Sequence, residues 1–138
     1  MDERVNFETL HRPTSPNTCL LAPKWLCGHA TPDIESPIFL LSPDRLFAEI
    51  SLLVGAYDHW SVHLNDETAR QIECIATTKV LKFKDDIAIR VIPDVNSQEK
   101  SQLAIYSRSR VGYHDLGANR KRVELLLREL NQYTQTTV

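Results

Sequence analysis

The residues most capable of chemistry in this sequence are concentrated in two places. An acidic pair, Asp85-Asp86, precedes Ile87-Ala88-Ile89-Arg90. A basic segment, Ser107-Arg108-Ser109-Arg110, runs on through Val111-Gly112-Tyr113-His114-Asp115-Leu116-Gly117 to Asn119-Arg120-Lys121-Arg122. A guanidinium group presents a planar fork of donors that matches the oxygens of a carboxylate or phosphate. Two kinds of chemistry follow. In the first, Asp85 and Asp86 accept bidentate bonds from Arg110 or Arg120, forming an ion-pair lock that pins the turn before the last helix. In the second, converging arginines and the free amides of a helix N-terminus hold a small anion. Arg120 bears on the choice, because an arginine in a first helical turn opposes the dipole and needs an acidic partner or an anionic ligand. Two aspartates are at hand, so the lock is favoured. Asp86 with Arg90 and Arg110 could also support acid–base chemistry on an anionic substrate. No paired nucleophile and base accompanies them.

Other reactive side chains give weaker patterns. Cys27-Gly28-His29 and His59-x-x-x-His63 contain zinc-ligand types, but neither has structural-zinc spacing, so no metal site is assigned. His114 lies within the basic turn and reads as a surface histidine. Cys74 alternates with apolar neighbours and reads as an inert core thiol. Trp25 and Trp60 read as packing groups. Three cysteines form an odd set, which favours free thiols over a Cys19–Cys27 disulfide. No glycine-rich phosphate loop or nucleophile elbow is present.

The elements that must position these groups can be read from periodicity. Ser42-Pro43-Asp44 supplies a cap, a first-position proline and an acid for the dipole. Leu46, Phe47, Ile50, Leu53, Val54 and Tyr57 follow at helical spacing, which predicts a first helix. From Asp58 to Arg110 the period falls to two. Trp60–Leu64, Ile72–Thr78, Ile87–Val91 and Leu103–Ile105 read as four strands. Asn65–Thr68 and Lys84–Asp86 read as turns, and the phase change near Lys79–Leu81 as a bulge or break. Alternation puts Ile87, Ile89 and Val91 on the core face, and Asp86, Arg90, Arg108 and Arg110 on an opposite polar face. Val123, Leu126, Leu127, Leu130 and Tyr133 form the stripe of a last helix from about Gly117 to Tyr133. Gly112 ends the strand, Asp115 is a candidate cap, and Gly117 suggests close backbone approach. The polar end, Gln132–Thr137, is expected to fray.

The expected architecture is therefore α+β: a four-stranded antiparallel meander with an N-terminal and a C-terminal helix on one face. It forms a single domain over residues 1–138, with an α-β-β-β-β-α core from residue 42. Residues 1–41 carry five of the seven prolines. Proline disfavours helix and central strand, so this stretch reads as an extended arm packed along the domain and frayed over its first ten residues.

Composition sets outer limits. The 138 residues are 42% hydrophobic and 25% charged, with a net charge of −2, which is ordinary for a globular domain and unlike a nucleic-acid binder. The charge is uneven: Arg108 to Arg128 holds six basic residues against two acidic ones. No run approaches the ~18 apolar residues of a membrane span. Met1–Asn6 is acidic and lacks an apolar signal region. A cytoplasmic location is expected.

The ending Ser107 to Arg122 resembles that of the uncharacterised family named "domain of unknown function 1499", whose pattern is S-x-S-R-V-G-x-x-D-L-G-x-N-x-x-R. Phe83-Lys84-Asp85-Asp86 with the strand to Arg90 matches a second family element, and Pro16-Asn17-Thr18-Cys19 more weakly a third. The resemblance carries no established activity, and no cofactor is expected. The residues themselves favour a non-enzymatic binding or accessory domain, with a small anion or an acidic protein surface as partner. Its site would draw on Asp85, Asp86, Arg90, Arg108, Arg110, Asp115, Asn119 and Arg120. The competing expectation is an enzyme acting on a small anion. A purely structural role for the ending, with the contact surface in the proline-rich arm, is the third.

Overall fold

A computed structural model describes residues 4–134. The strands are β1 (Thr18–Ala22), β2 (Ile34–Glu35), β3 (Trp60–Asp66), β4 (Gln71–Thr77), β5 (Lys84–Pro93) and β6 (Ser101–Ser109); the helices are α1 (Pro43–Gly55) and α2 (Ala118–Glu129). One six-stranded sheet has the order β2-β1-β6-β5-β4-β3. β3 to β6 pair antiparallel in sequence, β1 pairs antiparallel with β6, and β2 runs parallel to β1.

The α+β class holds, but the sheet is six-stranded and mixed, not a four-stranded meander. The reason lies in where the prolines stand. Pro16 and Pro23 bracket a proline-free stretch, Asn17–Ala22, whose free amides can enter a ladder. β1 accordingly lies inside the sheet, with Cys19 and Leu21 buried against the helices and Leu20 and Ala22 buried on the opposite side.

Both helices cover one face. Ser42 Oγ accepts from the Arg45 amide at 3.3 Å, and Leu46, Phe47, Ile50 and Val54 are buried as the spacing predicts. Val123, Leu126 and Leu130 bring α2 onto the same core, above β6 and β1. α2 stops at Glu129 and a short 3-10 turn, Asn131–Tyr133, follows. The polar C-terminal end is held as far as Thr134, which bridges to Phe39; Gln135 to Thr137 lie outside the described residues.

The arm covers the other face. Phe7 is fully buried with Leu20, Leu26, Ala88, Ile92, Ala104 and Tyr106. Asn6 caps the 3-10 turn Phe7–Thr9, and the Val5 amide donates to Glu73 Oε2 at 2.7 Å. Residues 4–10 are thus packed, not frayed. Two smaller differences concern the β4–β5 link. β4 ends at Thr77, Thr78 to Phe83 form the turn, and Lys84–Asp86 are paired strand residues. The phase change near Lys79–Leu81 is thus a strand break, and a separate register shift lies at His63, in β3. Trp25, expected to pack, is 62% exposed, while Trp60 packs on Tyr57 with centroids 4.7 Å apart.

Candidate functional site

Period two places Asp85, Ser107 and Ser109 on the helix side of the sheet, continuing the rows of Ile87, Leu103 and Ile105. α2 crosses above them and lowers Asn119 and Arg122, three residues apart on one helical face, into the same space. Asn119 is fully buried. Its side-chain amide donates to Asp115 Oδ2 (2.7 Å), Ser109 Oγ (2.8 Å) and the Asn17 carbonyl (2.9 Å). Its carbonyl accepts from Ser107 Oγ at 2.6 Å and Arg122 Nη1 at 2.9 Å. Arg122 Nη2 reaches Asp85 Oδ2 at 2.9 Å, with only 11% and 4% of the two side chains exposed. Asn17 Nδ2 in turn donates to the Gly112 carbonyl at 2.6 Å. The arm, the last two strands, the turn and α2 are thereby tied at one point.

Asp115 closes the turn. Its carboxylate accepts from the amides of Gly117 (2.8 Å) and Asn119 (3.2 Å). These bonds fill the start of α2 with the chain's own anion, leaving little of the terminus for a ligand. Gly112 and Gly117 both have positive φ, +84° and +79°, and nothing lies within 4 Å of a Cβ built on Gly117. Gly117 therefore serves the backbone angle, not a close approach.

The expected lock exists with one pairing changed. Asp86 accepts a fork from Arg110, Nε–Oδ2 2.9 Å and Nη2–Oδ1 2.8 Å. Asp85 pairs with Arg122, and not with Arg110 or Arg120. Arg120 sits on α2 beside Glu124, 3.8 Å away, which answers its conflict with the dipole. Arg90 donates to Glu8 Oε1 at 2.8 Å and stacks on Phe7 at 5.3 Å, drawn away by the arm. Asp86 and Arg90, four residues apart on an extended strand, are separated by about 13 Å, so the grouping of Asp86 with Arg90 does not form.

Arg108 is the exception among these arginines. It is exposed, lies 5.7 Å from the Tyr106 ring, and makes no ion pair among the described residues. With Tyr106, Asp86, Arg110, His63 and Glu73 it lines an open cleft of about 680 Å³ on the arm side of the sheet. Burial alone would raise the Asp86 carboxyl, but the bond and charge of Arg110, with Arg108 and His63 behind it, hold it below its ordinary range. The Asp115 carboxyl is lowered too, its burial outweighed by Asn119 and the turn amides. Burial pushes the Cys19 thiol up to about 11 and Cys74 up to about 12, so both are inert as nucleophiles near neutral pH. His114 lies in a second groove with Cys19, Asp33 and Arg120.

Because the Arg110–Asp86 pair is 44% and 26% exposed, it is screened, and Asp86→Asn should cost only about 0–1 kcal/mol at pH 7. A carboxyl lowered by folding contributes stability above its unfolded value, near pH 4, and loses it as the pH falls through the folded value. The Asp86→Asn protein should therefore show less destabilisation than the parent between about pH 5 and pH 2 in urea melts. Equal acid sensitivity of the two proteins would show that the pair contributes nothing.

Arg122, Ser107, Ser109, Asn17 and Tyr106 were not among the sequence-derived site residues. The parity of Asp85 and Ser107 with core residues was the available signal for the first two. Nothing in the sequence pointed to Asn17 as a partner of Gly112 and Asn119.

Among the described residues no three His, Cys, Asp or Glu side chains converge on a common point, and no helix is long and apolar enough to cross a membrane. The fold is an α+β domain in which the C-terminal motif ties α2, β5, β6 and the arm together, with an arginine-bearing cleft on the other side of the sheet. A family model described as "Protein of unknown function (DUF1499)" matches residues 11–130. The chain belongs to that family. No protein of curated function matches the chain.

Proposed function

We propose that this protein is a non-enzymatic binding domain that holds the phosphate or carboxylate group of a small anion in the arm-side cleft, with Arg108 as the contacting residue. The observation that carries this reading is the difference between Arg108 and its neighbours. Arg90, Arg110 and Arg122 each end on a carboxylate of the chain within 2.9 Å. Arg108 has none among the described residues and faces the cleft. Seated against an aromatic ring, a guanidinium loses little further freedom on meeting an anion. Arg108 stands at a position the family pattern leaves open, so the contact belongs to this chain and not to the motif. The acid–base alternative is the weaker one. Asp86 is ion-paired with a lowered pKa, which makes it a poor base, and Arg90 is engaged elsewhere.

Titration with inorganic phosphate, followed by amide chemical shifts, tests the proposal. Saturable shifts should centre on Tyr106 to Arg110 and be lost in Arg108→Ala, with the melting temperature little changed. Shifts that persist in Arg108→Ala, or no saturable shift at all, would defeat it. So would turnover of a phosphate ester that needs Asp86.

A further inference from the structure

The end of the sheet at which β4 meets β5 and β6 meets α2 carries a surface with no role in the buried knot or the cleft. Lys79, Val80, Leu81, Lys82, Phe83 and Lys84 are all exposed. These consecutive residues contain three lysines, three large apolar side chains and no acid. The adjoining β6–α2 turn adds exposed Val111, Tyr113 and Leu116, the last at 93% exposure and Val80 at 87%. The two turns are neighbours by register, since Asp85 pairs with Ser109 and the Arg110 amide reaches the Lys84 carbonyl at 3.4 Å. Monomeric domains rarely leave so many large apolar side chains together in water.

Backbone geometry holds these groups out. Lys82 and Leu116 have positive φ, 58° and 55°, a region costly for any residue with a long side chain. Thr78 braces the first turn by accepting the Phe83 amide at 2.9 Å.

We infer that these two turns dock the protein on an anionic lipid bilayer, the apolar and aromatic side chains entering the interface and the lysines meeting the headgroups. Charge complementarity selects this occupant. Lys79, Lys82 and Lys84 are exposed and make no ion pair among the described residues, while Asp85 and Asp86 at their base are neutralised by Arg122 and Arg110. The opposing charges at this end are Asp58, exposed in the turn before β3, and Asp115, whose carboxylate accepts from the Gly117 and Asn119 amides. A second copy of the chain would set lysine against lysine, which disfavours self-association. Protruding turns in which lysines and large apolar groups alternate suit a fluid interface, where the apolar groups are buried as the lysines stay at headgroup depth.

Co-sedimentation with vesicles tests the inference. Vesicles of phosphatidylcholine and phosphatidylglycerol should retain the protein at low ionic strength and release it at high salt, while phosphatidylcholine alone should retain little. Removing two lysines in Lys79→Ser/Lys82→Ser should weaken partition about thirtyfold, and Val80→Ser/Leu81→Ser should weaken it with no change in salt dependence. The replaced side chains are exposed, so melting temperatures should match the parent. Failure to bind the anionic vesicles would overturn the inference, as would binding by either double variant that equals the parent's. Concentration-dependent self-association abolished by Val80→Ser/Leu81→Ser would overturn it as well, by showing the surface to be an interface between copies. None of these arms uses Arg108, so the outcome is independent of the phosphate titration.

Discussion

Replacing Arg122 by methionine should destabilise the protein by about 3–5 kcal/mol, because it leaves the Asp85 carboxylate buried without its counter-charge. The cost arises from desolvation and not from the loss of attraction alone. Asp85 is 4% exposed and lies beneath α2, so water cannot replace the guanidinium without opening the helix from the sheet. The same change orphans Asn119 Oδ1 in part and removes a donor to Ser107 Oγ. In a domain of this length the loss corresponds to a fall in melting temperature of roughly 10–20 °C. Calorimetry gives the number, and a loss below about 1 kcal/mol would mean that the pair is solvated and not structural. Asp85→Asn combined with Arg122→Met should recover about 1–3 kcal/mol relative to the sum of the single changes, since the stranded charge is gone. Strict additivity would refute the coupling.

The second large effect lies at the opposite end of the chain. Phe7→Ala should cost about 3–5 kcal/mol, the usual range for emptying a buried phenylalanine site. Phe7 is fully buried, and it is the largest apolar side chain that the first ten residues bring to the arm-side core. Its ring also carries the Arg90 guanidinium, which Glu8 holds from the next position. Without the ring, the arm loses its anchor and Arg90 loses its platform together. Amide exchange should accelerate at Ala88 and Ala104, beneath the arm, more than at Ile89 and Ile105, beneath the helices. Wild-type-like exchange with a loss under about 1 kcal/mol would show that the arm is an accessory to the fold.

These two sites also show what could be read from the residues alone. α1 was legible because its cap, its proline and its apolar stripe agree, and local agreement of that kind leaves tertiary structure little to override. The strands β3 to β6 were legible from alternation. The arm-side row was legible only in part: Asp86–Arg110 follows from alternation, but the face expected to be polar carries Ala88, Ile92, Ala104 and Tyr106 in a second apolar core under Phe7. The partner of Asp85 was in principle legible: a carboxylate in phase with Ile87 must lie under something, and Arg122 is one helical step from Asn119. The arm was misread because proline counts describe a segment's average, while strand formation depends on the few residues between them. Thr18 to Ala22 are free of proline, apolar on both faces, and fit between two other strands. Arg90 was misplaced for a related reason, since the residues that claim it, Phe7 and Glu8, lie more than eighty positions earlier in the chain.

Thr18 pairs with Arg108, and Phe39 bridges to Ser101. The strand that joins the two halves of the sheet, β6, thus follows every other described strand in the chain. Until it emerges, β1 and β5 each present an open edge with no neighbour, and neither apolar core can close. Contacts of such long sequence separation are slow to form. A nascent chain of this protein must therefore hold β1 without its β6 partner until β2 to β5 have been made, after which α2 secures β6 from one side and the arm from the other.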